Sequence, residues 1–350
     1  MSYIGENSSF SFRDGCCEGI GDTGVAGTAA LGKVLASEHR RFCAGCDRFD
    51  GLHILYALSG AMAESGRDVY ICENTDMQSF RFGIPLLSVD CGVYITFSGG
   101  LKIHLFGSHG EAFSDKALSR VLSGRECLSP AKKGRIYQYT SFRSIYLSNI
   151  EDSLHIAPPL KAGVSCGNSS MRSLWREIFT GEDEHLVFQV SDDGSRVSAY
   201  SSVFGFISRE QLILAAGLSR ISGGENIFLP ENFHIGADME GVIRYSEDAV
   251  PENALKQRFL FDNLWLCAAL VSRNAFCTGS SLIRDMYAVK REVAVEGGNE
   301  FSGKSFRTGS GRVLVSRSGK NRLTVTAQSY STEAASELCC IWSEKLSRKQ

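Results

Sequence analysis

A chain of 350 residues, 43% hydrophobic and 22% charged, has the makeup of a globular protein that buries a core and has room for more than one domain. Its 37 Lys and Arg against 39 Asp and Glu leave a net charge of −2 with no long basic run, which excludes an electrostatic footprint for nucleic acid. The longest apolar run, Phe259 to Val271, carries Asp262 and Asn263 and is too short to cross a bilayer; it predicts a buried helix and no membrane partner.

The first nine residues lack the basic start and apolar core of an export signal, which predicts a cytoplasmic protein. In that compartment the 12 cysteines are expected to stay reduced and to pack as small hydrophobes. Cys43 and Cys46 form the sole CxxC, and no second pair completes a tetrahedral zinc site.

Gly19 to Gly27 is a glycine-rich turn before a helix-like stretch from Thr28 to His39, a phosphate cradle or a plain connector. Arg41 to Gly45 reads as a strand, Leu52 to Ser65 as an amphipathic helix, Asp68 to Cys72 as a strand and Thr75 to Leu87 as a helix. Cys91, Val93 and Ile95 then alternate with Gly92, Tyr94 and Thr96, and Leu101, Ile103 and Leu105 with Lys102, His104 and Phe106. Two strands therefore flank Ser98-Gly99-Gly100, and the glycines leave the Ser98 hydroxyl unshielded at a turn. Ser114 is a candidate N-cap for a helix to Leu122. Helices alternating with strands predict a layered α/β domain that closes near residue 150.

Beyond Ile156-Ala-Pro-Pro-Leu160, the stretch His185 to Tyr200 reads as a strand, a turn of small and acidic residues containing Asp192 and Asp193, and a second strand. Ser208 to Gly217 is helical in pattern. Arg291 to Lys304 is glycine-rich and holds Glu300 and Ser302, a carboxylate acceptor and a hydroxyl suited to sugar hydroxyls. Arg312 to Val315 and Leu323 to Ala327 alternate as strands. The loop between them, Ser316 to Arg322, offers Arg317, Lys320 and Arg322 with Ser318 and Gly319, a composition that suits a phosphate. Ala334, Leu338, Trp342 and Leu346, joined by Ile341, predict the buried ridge of a final helix.

Taken in order, these stretches resemble the α-D-phosphohexomutases, the phosphomannomutase and phosphoglucosamine mutase family. The segment Gly92 to Gly107 resembles that family's serine loop, Ala-Gly-Val-Met-Ile-Thr-Ala-Ser-His-Asn-Pro, followed by Gly-Ile-Lys-Leu-Phe-Gly; Ser98 falls on the phosphoserine, while Gly99 and Gly100 stand in place of His-Asn. Gly19 to Gly27 resembles the N-terminal Phe-Gly-Thr-Asp-Gly-Ile-Arg-Gly, with Ala26 at the arginine, and Gly45 to Arg48 resembles a Gly-Lys/Arg-Asp-Thr turn. Lys161 to Asn168 resembles the strand and turn Val-Val-Val-Asp-Cys-Ala-Asn-Gly.

The turn at Asp192 resembles the metal loop Asp-Gly-Asp-x-Asp-Arg. Ser191, Asp193 and Ser195 then occupy the three ligand positions, and Arg196 matches the arginine. Glu300 and Ser302 resemble the sugar loop Gly-Gly-Glu-x-Ser-Gly-His, and Arg317 to Arg322 the phosphate loop Arg-Pro-Ser-Gly-Thr-Glu-Pro.

The resemblance implies three layered α/β domains and a smaller C-terminal α+β domain around a central cleft, divided at residues 1–150, 151–202, 203–305 and 306–350. It implies a hexose phosphate as partner, with Ser98 and Arg196 as catalytic residues. Glu300, Ser302, Arg317, Ser318, Gly319, Lys320 and Arg322 bind substrate. Mg2+ is held by Ser98, Ser191, Asp193 and Ser195, with hydroxyls at two of the three carboxylate positions. The implied reaction interconverts hexose 1- and 6-phosphates through a phosphoserine; the alternative is a non-catalytic relative that binds a sugar phosphate or a protein partner.

Overall fold

The structure is a computed structural model that describes residues 10–13, 16–19, 24–47, 51–97, 100–113, 132–139, 142–230, 233, 241–245, 250–273, 287–294, 304–309, 311–319, 322–329 and 331–347. The chain forms two compact units, residues 1–200 with 255–272, and residues 201–254 with 273–350. Among the described residues no helix is long and apolar enough to cross a membrane.

The first unit is built on a seven-stranded sheet in the order β1 (Phe10–Arg13), β2 (Cys16–Gly19), β6 (Lys102–Gly107), β5 (Cys91–Thr96), β3 (Arg41–Cys46), β4 (Asp68–Cys72) and β7 (Ile136–Tyr139). The stretch from β5 to β7 is parallel, while β6, β2 and β1 are antiparallel additions. Helices α1 (Val25–Glu38) and α2 (Leu52–Glu64) cover one face: Leu31, Leu35, Leu55 and Leu58 pack on Phe42, Ala44, Val69, Val93 and Ile95. Helix α3 (Met77–Leu86) covers the other face, with Phe80 and Ile84 against Cys43, Cys72, Tyr94 and Phe106. A parallel strand covered on both faces must be apolar on both, and β5 is buried at all six positions. The expected hairpin forms, with Tyr94 opposite His104 and Thr96 opposite Lys102.

Local chemistry sets the helix ends. Asp76 caps α3, its carboxylate accepting from Ser79 N at 2.8 Å and Ser79 Oγ at 2.7 Å. Cys43 and Cys46 lie three residues apart on β3 and so point to opposite faces, one into each core cluster; no single ion can reach both. Cys43 Sγ instead lies 3.6 Å from Cys72 Sγ, and the described cysteines form no disulfide.

The same unit holds helix α4 (Arg143–Leu154) and a second sheet containing β8 (Leu160–Ser165), β9 (Phe179–Gly181), β10 (Leu186–Val190) and β11 (Val197–Ser201), with β8 between β10 and β9. Helix α5 (Ser169–Arg176) follows β8 and is capped by Asn168, whose Oδ1 accepts from Ser170 N and Met171 N; Trp175 packs on Phe179 and Phe188. The run predicted as one helix from Phe259 to Val271 is two pieces: a 3-10 turn, Arg258–Leu260, and an α-helix, Asn263–Ser272. Asp262 makes the break, because its Oδ1 accepts from Trp265 N at 3.0 Å and so starts a new helix in mid-run.

In the second unit Gly205–Ile207 is a short strand, here β12, and helix α6 (Arg209–Ser222) opens with a reciprocal capping box between Ser208 and Gln211. Two parallel strands follow, β13 (Ile227–Pro230) and β14 (Val242–Tyr245). A four-stranded antiparallel sheet has the order β15 (Tyr287–Ala294), β18 (Arg322–Ser329), β17 (Gly311–Gly319) and β16 (Lys304–Thr308). The C-terminal helix, Thr332–Ser347, packs Leu338, Cys339, Trp342 and Leu346 on it. Ile341 does not join that ridge and is exposed, because the buried stripe turns toward Ala335, Cys339 and Ser343. The helix expected from Ser114 lies outside the described residues.

Helix α3 supplies a stability test. A Cβ on Gly83 would stand 2.3 Å from two ring atoms of Phe142, which is fully buried and stacked on Tyr139 with centroids 4.6 Å apart. In an exposed helix Gly→Ala gains about 1 kcal/mol, but overpacking a filled core costs roughly 1–3 kcal/mol. Gly83→Ala is therefore expected to lower the denaturant midpoint at unchanged m-value; a raised midpoint would mean that the ring yields.

Candidate functional site

The parallel strands β3, β4 and β5 all end on one side of the sheet, and such edges are where α/β folds present their polar groups. Thr96 is the last residue of β5, and Phe97 O accepts from Gly100 N at 3.5 Å, closing the turn that carries Ser98 in the sequence; Ser98 itself lies outside the described residues. A small cavity of about 10 Å3, room for one water or ion, opens beside Thr96. Its polar lining includes Asp47, just past β3, Asp76, and both Asp192 and Asp193.

The acidic turn between β10 and β11 is locked by its own side chains. Asp193 Oδ1 accepts from Ser191 Oγ at 2.6 Å, Ser195 Oγ at 2.8 Å and Ser195 N at 3.0 Å. Ser191 Oγ accepts from Arg196 N at 2.9 Å, and Gly194, at φ +71, lets the chain reverse. The Arg196 side chain is exposed. Burial alone would raise the Asp193 carboxyl, but the bonds from Ser191 and Ser195 and the positive charge of His104 outweigh it and hold the group below its ordinary value. Asp192 accepts from Asn168 N at 2.9 Å. Burial pushes Asp76 up despite the bonds from Ser79.

The three residues predicted as metal ligands, Ser191, Asp193 and Ser195, are thus brought together, but they are bonded to one another. A hard divalent cation needs six or more oxygens and several negative charges. Here two of the three groups are neutral, and both donate to the only carboxylate. Among the described residues no group of three or more His, Cys, Asp or Glu is placed to hold a metal. Ser191, Asp193 and Ser195 by themselves do not fit a Mg2+ site.

His104 was missed by the reading of the sequence. It stands opposite Tyr94 on β6, and its Nε2 lies 3.2 Å from Thr96 Oγ1, with its charge felt at Asp193. The signal was present in the alternation: Tyr94 and Thr96 share a strand face, and the partner of Tyr94 must share it too.

The remaining candidates belong to the second unit. Glu300, Ser302 and Lys320 lie outside the described residues. The predicted loop from Ser316 to Arg322 is corrected: β17 runs on through Arg317, Ser318 and Gly319, and β18 begins at Arg322. Arg317 pairs with Leu323 and Gly319 with Arg322, so Ser318 is the extra residue of a β-bulge. The strands extend because the bulge absorbs the odd residue and lets pairing continue to Gly319 and Arg322. Arg322 lies 3.5 Å from Glu292 on β15, an exposed ion pair.

The chain has the fold of the phosphohexomutases. It is similar in structure to a phosphoglucomutase/phosphomannomutase family protein from Burkholderia thailandensis, with a TM-score of 0.65 at 13% identity over 90% of this chain and 92% of that one. A putative phosphomannomutase from Thermus thermophilus superposes with a TM-score of 0.64 at 14% identity over 98% and 99%. The open form of the Paramecium phosphoprotein pp63/parafusin, a phosphoglucomutase, gives 0.60 at 8% over 93% and 92%. No protein-family profile and no curated protein sequence matches the chain.

Two measurements check the acidic turn. Because the folded Asp193 carboxyl is the stronger acid, its stabilisation is complete above the ordinary Asp value of about 3.9 and is lost as pH falls through the depressed folded value. Asp193→Asn is expected to cost about 1–3 kcal/mol at neutral pH, with the gap to wild type closing below about pH 4; a gap that persists in acid would assign the loss to shape rather than charge. Calorimetry on the unphosphorylated chain is expected to find no saturable Mg2+ binding tighter than about 1 mM, and micromolar binding would overturn the misfit.

Proposed function

We propose that the protein is a phosphohexomutase-type phosphotransferase acting on a hexose phosphate, with Ser98 as phosphoryl carrier. The observation that supports it is the convergence, at one edge of the parallel sheet, of the stem of the serine turn at Thr96, the imidazole of His104 and the carboxylate of Asp193. That edge holds a proton carrier and a fixed negative charge beside the position two residues before Ser98. The four-part division at residues 1–150, 151–202, 203–305 and 306–350 belongs to the same reading.

In the first transfer the Ser98 Oγ–P bond breaks and a sugar O–P bond forms. The proton leaving the sugar hydroxyl ends on Ser98 Oγ, carried by His104, an imidazole being suited to proton transfer near neutral pH. The bisphosphate turns over, and the reverse transfer from its other position restores phospho-Ser98 and leaves the isomeric monophosphate. Glu300 and Ser302 discriminate among sugar hydroxyls; Arg317, Ser318, Gly319, Lys320 and Arg322 hold the phosphate that is not transferred, and Arg196 faces the transferring group. Phosphoryl transfer depends mainly on positioning and on neutralising charge, and no step here is routed through a metal.

A second reading, a non-catalytic relative that binds a sugar phosphate, is favoured by the saturation of Asp193 within its own turn. Chain incubated with a hexose 1,6-bisphosphate is expected to carry one phosphoryl group on Ser98, read by intact mass and peptide mapping, and to interconvert hexose 1- and 6-phosphates in a coupled assay. His104→Ala is expected to lower kcat by about 10²–10⁴-fold with little change in KM. An unmodified Ser98 and no turnover, together with a raised melting temperature in millimolar hexose phosphate, would leave the binding reading. In either case Glu300→Ala is expected to blur discrimination among sugars, whereas Arg317→Ala weakens all of them alike.

A further inference from the structure

Two backbone carbonyls of the acidic turn, those of Gly194 and Ser195, take donors from outside it. Asn263, the first residue of the helix Asn263–Ser272, donates from Nδ2 to Gly194 O at 2.8 Å and to Ser195 O at 3.0 Å. Gln78, on α3, donates from Nε2 to Gly194 O at 3.3 Å. Asn263 is 2% and Gln78 7% exposed, and both bonds to Gly194 O are buried. A donor removed from such a place is not made good by solvent, so the carbonyl depends on these two side chains.

The carbonyl of Gly194 and the N–H of Ser195 belong to one peptide unit, which is planar and trans, so the two point in opposite directions. At the far end of that unit Ser195 N donates to Asp193 Oδ1 at 3.0 Å. The units on either side are fixed within the turn: Gly194 N donates to Ser191 O at 2.8 Å and Arg196 N to Ser191 Oγ at 2.9 Å. The unit between them adjoins Gly194, at φ +71, and a residue without a Cβ lets its plane rotate at little cost. Rotated by half a turn, it would take the Ser195 N–H off Asp193 and bring the Gly194 oxygen toward the carboxylate, setting like charges against each other. Asn263 and Gln78 oppose that rotation, because it strips both of their acceptor. Two donors on the oxygen also polarise the unit and strengthen the bond that its N–H makes at the other end.

Asp193 is where this orientation meets the chemistry. Its carboxylate feels the charge of His104, whose Nε2 lies 3.2 Å from Thr96 Oγ1, two residues before Ser98. The line of contact therefore runs from Asn263 through the Gly194–Ser195 peptide to Asp193 and on to His104. We infer that Asn263, backed by Gln78, is a positioning residue for the proposed phosphoryl transfer: it latches the Gly194–Ser195 peptide in the orientation that holds the Asp193 carboxylate beside His104. The role in transfer rests on the reading of His104 as proton carrier, whereas the latch is a matter of geometry and is read without turnover.

The test uses the full chain and three variants. In Asn263→Ala the amide proton of Ser195 is expected to lose the downfield NMR position of an N–H bonded to a carboxylate and to exchange with deuterium about tenfold faster. Gln78→Met, which removes one donor at nearly constant volume, is expected to move the same signal less far. Ser153→Ala is the control: it removes the acceptor of the 2.9 Å bond from Trp265 Nε1, loosening the same helix without touching the turn. It is expected to lower the melting temperature and to leave the Ser195 signal in place. In the coupled mutase assay Asn263→Ala is expected to lower kcat roughly 10–10²-fold at nearly unchanged KM, with no further loss in the Asp193→Asn background. A Ser195 signal unmoved by Asn263→Ala and Gln78→Met, or moved as far by Ser153→Ala, would overturn the latch. An unchanged kcat, or a loss that adds in full to that of Asp193→Asn, would overturn its action through Asp193. Wild-type chain without turnover, its Ser195 signal still responding to Asn263→Ala, would strike the transferase reading and the role in transfer while upholding the latch.

Discussion

Strands β3, β4 and β5 are covered by α1 and α2 on one face and by α3 on the other, and a strand buried on both faces has no room for a polar side chain except at its ends. That constraint organises the first unit. Thr96, Asp47 and Asp76 all stand at or beyond the ends of buried strands, where the apolar layers stop. The second sheet brings its acidic turn to the same small cavity, because β10 and β11 meet at Ser191 to Arg196 and Gln78 and Asn263 hold that turn by its backbone. Burial decides where polar groups can be, and hydrogen bonds to main chain then decide which way they face.

Asp193 shows how one carboxylate can be used twice on paper and once in fact. Its oxygen Oδ1 takes three donors from Ser191 and Ser195, which makes it a brace for the turn. An oxygen so engaged has little left for a cation, and two hydroxyls bring no charge to replace what a second and third carboxylate would supply. The same bonds that keep Asp193 ionised keep it occupied.

Much of the architecture was legible because it rests on short-range rules. The β5–β6 hairpin follows from the alternation on either side of Ser98-Gly99-Gly100, and the start of α6 follows from Ser208 and Gln211, whose reciprocal cap needs nothing beyond three residues of spacing. The order of the serine turn, the acidic turn and the basic turn was likewise readable, and with it the fold. Misreadings came where a local rule met a competing one. Asp262 could be solvent-facing in one long helix or the cap of a second, and packing chose the cap. The basic stretch at Ser316 looked like loop by composition, yet a bulge at Ser318 let the strands pair through it.

By itself, then, the sequence determined the layered α/β class, the hairpin and the order of the candidate loops, since each depends on side-chain period or on residues close in the chain. Only the tertiary structure decided that Cys43 and Cys46 face opposite cores, that His104 reaches Thr96, that Asp192 accepts from Asn168 while Asp193 bonds within its own turn, and that Gln78 and Asn263 grip a turn 116 and 69 residues away in sequence. Those outcomes rest on contacts between segments far apart in the chain. Residue spacing carries no record of such contacts, and the direction of a short polar side chain is set by whichever buried donor or acceptor the fold brings beside it.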